Sequence, residues 1–148
     1  MVKHKVAMTV NKPAAEVFKF VGTDYFINHP KWDSRVENLQ LESSGPVAVG
    51  THGHETRRQG GRKMTYGFEV TDFKPGSLMA FKASGGPVKL TTSYAVKPLS
   101  DKQSQLEVEV NMRMGGLLML MEPFMKGGVS KEFNAITAQI KKMIEEQR

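Results

Sequence analysis

The chain has 148 residues, 39% of them hydrophobic and 24% charged, with a formal net charge of +6 and no cysteine. These values suit one globular domain with a real core, and they exclude disulfides and thiolate chemistry. No run approaches the length of a membrane-spanning helix, and the opening stretch MVKHKVAMTV is too polar for a signal peptide, so a cytoplasmic location is expected.

Val2 to Val10 alternates, with Val6, Met8 and Val10 on one side, which predicts a strand. Asn11 suits the cap of a helix near Ala14 to Val21, with Pro13 in its first turn and Gly22 at its end. That helix would turn Val17, Phe18 and Val21 inward. Thr23-Asp24 opens a second short helix through Ile27, which Pro30 closes, and Trp32 follows at once.

From Ser34 the period changes to two. Strands are predicted over Val36 to Glu42, Val49 to Arg58, Lys63 to Phe73, Leu78 to Ala83, Val88 to Lys97 and Leu106 to Arg113. Turns fall at Ser44-Gly45-Pro46, Gly60-Gly61, Pro75-Gly76 and Gly85-Gly86-Pro87, and residues 98–104 form a polar loop. Short turns between successive strands imply an antiparallel meander, and the polar alternates leave one face wet.

The last third, Met114 to Gln147, carries an apolar residue every three or four positions: Leu118, Met121, Met125, Val129, Phe133, Ile136, Ile140 and Met143. That is one face of a single long helix, with Pro123 expected to bend it. The combined prediction is α+β: a seven-stranded antiparallel sheet curled around a long C-terminal helix, with two short helices between strands 1 and 2. A bent sheet and one helix do not fill each other's space, so a small-molecule cavity is expected between them.

Pro13-Ala14-Ala15-Glu16-Val17-Phe18, His29-Pro30-Lys31-Trp32, Val49-Gly50-Thr51, Glu69 through Pro75 and the C-terminal helix, in this order, resemble the START-related helix-grip (SRPBCC) superfamily. That superfamily includes birch-pollen-allergen-like proteins and polyketide cyclase/dehydrase-like proteins. The resemblance spans essentially the whole chain as one domain. It implies a helix-grip fold and binding of a hydrophobic or amphipathic small molecule, with or without turnover.

His52 and His54 lie two apart on one strand, a spacing that could chelate a metal, but no carboxylate follows where such a site wants one. The resemblance turns Thr51, Gly53, Glu55 and Arg57 toward the cavity and both histidines outward, and no metal or cofactor is expected. Two readings of Glu55 and Arg57 stand at this point. Arg57 could hold a carboxylate or phenolate while Glu55 moves protons, or the two form an ion pair at the sheet's wet end, the outcome depending on register. Gly53 would leave room beside them. Tyr66, Thr92 and Tyr94 share the phase of the inward residues and could orient a polar group. Trp32 would line the entrance or anchor its loop. Phe68, Phe81, Met121 and Met125 complete the expected ligand-binding set, which otherwise belongs to the core with Met64, Met79 and Met112.

The ten methionines suit both a core and a cavity that adapts to its contents. The scattered basic residues favour anionic ligands or surfaces over nucleic acid. Gly60-Gly61 and Gly85-Gly86 read as hairpin turns, not phosphate loops, and neither GxSxG nor HExxH occurs. The leading expectation is a non-catalytic binder of a small hydrophobic or amphipathic molecule. A polyketide cyclase/dehydratase-like enzyme is the alternative. A third is a lipid-handling or interaction module that touches membrane surfaces transiently through the apolar stretch Leu117 to Met121.

Overall fold

The computed structural model describes residues 2–59 and 61–147; within them the side chains of Gln59, Leu117, Leu118, Met121, Glu122, Phe124, Met125, Lys126 and Val129 lie outside the described set. The order is β1 (Val2–Val10), α1 (Ala14–Phe18), a π turn (Lys19–Thr23), α2 (Tyr25–Trp32), β2 (Val36–Leu41), β3 (His52–Gln59), β4 (Arg62–Lys74), β5 (Leu78–Gly85), β6 (Val88–Pro98), β7 (Ser104–Met114), a 3-10 turn (Gly116–Met121) and α3 (Glu122–Glu145). All seven strands form one antiparallel sheet in the order β1-β7-β6-β5-β4-β3-β2. β1 and β2 are neighbours in sequence but lie on opposite edges. The chain between them must cross the sheet, and α1, the π turn and α2 make that crossing.

The strands form where apolar residues alternate, and their inward rows meet across the sheet. Glu55 faces Tyr66, Val70 faces Phe81, Phe81 faces Thr92, and Tyr94 faces Val108. Register shifts at Val36/Asn38 in β2 and at Val70/Asp72 in β4 bend the sheet. The β2 shift also explains why Val36 and Leu39, three apart, are both half-buried. Between β4 and β5, the Ser77 amide donates to the Lys74 carbonyl (3.0 Å), and Gly76 has φ +82°, which a type II turn after Pro75 requires. One main core joins the sheet's inner face to α1, α2 and α3, with Val10, Val17, Val70, Met79, Leu106, Ile140 and Ile144 fully enclosed.

Four local expectations are corrected. Asn11 does not cap α1. Its side chain accepts from Gln103 (2.9 Å), and Pro13 stands at the cap, its carbonyl receiving the amides of Glu16 and Val17. The first helix passes into a π turn after Phe18. Gly22 sits where a Cβ would press on the Phe18 ring at 2.6 Å, so its smallness serves packing. Pro30 does not close α2 but lies inside it; the helix is so short that losing one amide leaves its remaining turn intact. Pro123 does not bend a long helix. β7 runs to Met114, Gly116 adopts φ +64°, and α3 begins at Glu122, so Pro123 occupies a first turn where a missing N–H costs nothing. Phe133, Ile136, Ile140 and Met143 of the expected stripe pack on the core, joined by Ile144. Leu118, Met121, Met125 and Val129 have side chains outside the described set.

Candidate functional site

Hollows lie on both sides of the sheet. One, about 600 Å³, opens on the solvent face. Another, about 160 Å³, lies between the inner face, α2 and α3. Size does not decide between them, because the inner one gathers the buried polar groups.

β3 supplies the first of these. Strict alternation buries Thr51, Gly53 and Glu55 and half-buries Arg57, while His52 and His54 face water. The register therefore turns Glu55 and Arg57 inward, and there they form an ion pair (3.5 Å). His52 Nδ1 bonds the Gly50 carbonyl, and His54 pairs with Glu42. Gly53 does not leave a vacancy: a Cβ there would collide with the Gln40 carbonyl of β2 and stand 2.9 Å from the Phe68 ring.

α2 supplies the second set. Tyr25, Asn28, His29 and Trp32 are spaced i, i+3, i+4, i+7 and all are buried. Tyr25 stacks on His29 (4.9 Å, 13° between planes) and meets Phe81, Trp32 and Tyr94. Asn28 is spent on structure, donating to the Phe20 carbonyl (3.1 Å).

The two sets join in one polar chain. His29 Nε2 lies 2.5 Å from Glu55 Oε1, and Glu55 Oε2 lies 3.5 Å from Arg57 Nη1. Arg57 Nη2 donates to Asp33 Oδ2 (2.5 Å). Asp33 Oδ1 accepts from the Arg35 amide (3.1 Å) and Nε (3.2 Å), and Arg35 Nη1 reaches Glu132 of α3 (2.6 Å). Charges this deep are tolerated because each meets an opposite partner. Burial pushes the Asp33 carboxyl up, but Arg57 and then Arg35 outweigh it and hold it below its ordinary value. Burial raises both Tyr25 and Tyr94, so their phenols stay neutral, and the Tyr25 hydroxyl faces that of Tyr94. Three buried nitrogens in these walls have no partner among the described residues: His29 Nδ1, Trp32 Nε1 and Arg57 Nε.

Of the residues expected from sequence, Trp32, Glu55, Arg57, Tyr66, Phe81, Thr92 and Tyr94 all line this cavity. Trp32 is 4% exposed, so it is part of the wall and not a mobile entrance residue. Phe68 stacks on Phe26 (5.0 Å) and faces a minor void beside the cavity. Met121 and Met125 fall outside the described side chains. Tyr25, His29, Asp33, Arg35 and Glu132 line the cavity without having been expected there. The α2 spacing was the available signal for Tyr25 and His29.

A bent antiparallel sheet gripping a C-terminal helix around a small, half-polar cavity defines a helix-grip protein. The family model described as polyketide cyclase / dehydrase and lipid transport matches residues 1–145, and the chain belongs to that family. No curated protein matches the sequence. Among solved structures, a START superfamily protein from Mycobacterium smegmatis aligns at TM-score 0.78 and 12% identity over 97% of each chain. Ara h 8.0201 aligns at 0.75 and 17% over 98% of each. The Zhui aromatase/cyclase from a Streptomyces species aligns at 0.70 and 15%, over 97% of this chain and 96% of that one. At such identities the likeness establishes the fold. Among the described residues no helix is long and apolar enough to cross a membrane.

Proposed function

We propose that the protein binds a small amphipathic molecule, about one aromatic ring in size, in the cavity between the sheet and α3. The observation that carries this is the combination of a hollow of about 160 Å³ with buried, unpartnered nitrogens on three of its lining residues, His29, Trp32 and Arg57. Apolar hollows of roughly 150 Å³ hold benzene-sized guests. An unpaired buried polar group costs roughly 1–3 kcal/mol, so a ligand oxygen recovers that energy where a small shift of the wall opens one of these enclosed nitrogens to the hollow. Phe81, Leu90, Val108, Val110, Phe133 and Ile136 would cover the ring, and Arg57 would take an anionic or strongly polar oxygen. The test is native mass spectrometry of protein purified from its own host. A bound small molecule is expected, and is lost in Thr92→Phe, which fills the hollow. An empty wild type, with no shift of Phe81 or Tyr94 NMR signals on adding simple phenols and aryl carboxylates, sinks the reading.

The His29–Glu55 pair favours a second reading, an acid–base enzyme. When Nε2–H donates to Glu55, Nδ1 keeps its lone pair and the carboxylate fixes the ring, the arrangement a general base needs. The buried Tyr25 ring lies beside His29 and the buried Tyr94 ring (centroids 4.9 and 5.6 Å), and a neutral phenol is a donor suited to a developing enolate oxygen. That a protein named as an aromatase/cyclase shares the fold supports this reading. Exchange of the α-protons of acetophenone in D2O, followed by NMR, is expected to be accelerated by the wild type and not by His29→Gln. Equal rates with the two proteins, or with neither present, would remove it.

A further inference from the structure

The solvent face of the sheet carries a second site whose residues come in two cross-strand rows. The first row runs His54, Gly67, Ser84, Lys89, Arg113 across β3 to β7, and the second runs His52, Glu69, Lys82, Thr91, Asn111. All ten line the hollow of about 600 Å³. Its middle is low because Gly67 has no side chain and Ser84 a short one. The His54 ring stands beside the bare Gly67 backbone, 3.7 Å from where a Cβ would sit. The half-buried Gly67 peptide plane flanked by an imidazole is a flat, partly apolar seat.

The far end is unusual in its charge. Lys89 and Arg113 are directly opposite each other across β6 and β7, and like charges so placed repel. Nearby cations on this face are matched: Lys3 with Glu109 (3.4 Å), Lys5 with Glu107 (3.2 Å), Lys82 with Glu69 (3.8 Å), and Arg58 with Glu37 (2.9 Å). Lys89 and Arg113 have no acidic partner among the described residues, and both are exposed. A repulsive pair is thus kept at the end of a ready-made trough. Two uncompensated positive charges match a phosphate monoester, which carries about −1.5 to −2 near pH 7, better than a singly charged carboxylate. Three strand spacings separate Gly67 from Arg113, about 14 Å, and the long Lys and Arg side chains can lean back over part of it. The Ser84 hydroxyl lies between, while Thr91 and Asn111 border the far end from the second row, the Asn111 amide donating to Glu109 (3.2 Å).

The geometry points to this trough as a binding site for a ring-bearing phosphate monoester of nucleotide size, with the ring over Gly67 beside His54 and the phosphate between Lys89 and Arg113. The site is separate from the inner cavity and stands or falls independently of it. Adenosine monophosphate is the probe, with adenosine as control. Titration followed by amide NMR should move Gly67, Ser84, Lys89 and Arg113 with the monophosphate, while adenosine leaves Lys89 and Arg113 unmoved. Lys89→Gln and Arg113→Gln, both at exposed positions, should each weaken the monophosphate at least tenfold, with unchanged circular dichroism. Equal affinity for adenosine and its monophosphate, unchanged affinity in both variants, or shifts confined to Phe81, Tyr94 and their neighbours would overturn the proposal.

Discussion

On the inner side of β3, Glu55 and Arg57 are enclosed, and their charges are accounted for group by group, from His29 through Asp33 and Arg35 to Glu132. One residue along, on the outer side, His52 and His54 stand in water with local partners only. The same strand thus carries side chains that cannot be altered singly and side chains that can. Glycine shows the contrast without charge: Gly53 inside is pressed by the Gln40 carbonyl and Phe68, whereas Gly67 outside meets only the His54 ring at ordinary contact distance.

Arg57→Ala should break that contrast most. It leaves Asp33 with Arg35 alone and Glu55 with His29 alone, and is expected to cost about 3–5 kcal/mol in urea unfolding; a loss below 1 kcal/mol would mean that water reaches the chain freely. Gly53→Ala comes next, at about 1–3 kcal/mol from overpacking, read as a fall in thermal midpoint. Asp33 gives a pH signature. Its folded value lies below the ordinary 3.8, so the stability it adds is complete above that value and is lost as pH falls through the lowered one. Asp33→Asn should therefore be less stable than wild type at pH 6, with the gap closing in urea melts below pH 4. Smallest are the outer changes: His54→Ala and Gly67→Ala should each stay within about 0.5 kcal/mol and leave occupancy of the inner cavity untouched.

The fold was legible because its signals are local and repeated. Alternation placed the six strands after Ser34, and the spacing of Phe133, Ile136, Ile140 and Met143 gave the buried side of α3; the expected Gly60-Gly61 turn lies partly outside the described residues. Tyr66, Thr92 and Tyr94 were expected inward from the same period, whereas Glu55 and Arg57 were turned inward by the family resemblance, their strand's own pattern leaving the register open. The observed register aligns Glu55 with Tyr66 and Phe81 with Thr92. The α2 half of the site was not legible. Pro30 reads as a stop, and stopping there hides that Tyr25, His29 and Trp32 form one face. Arg35 and Glu132 were beyond reach for another reason: their contact joins positions 97 apart, and no local pattern encodes such a meeting. Pro123 misled in the opposite sense, because a proline suits a helix's first turn as well as its kink.

The pairing of β1 with β7 bears on how the molecule is made. Val2 meets Met112 and Val10 meets Ser104, so β1 finds its partner only after the whole meander has been made. The hairpins from β3 to β7 can zip up from near neighbours, but the amino-terminal ribbon must wait, and closing so long a loop slows assembly. Until that loop closes, the edge of β7 that β1 will cover is open to other chains, so the unfinished fold is more prone to edge-to-edge association than the finished one.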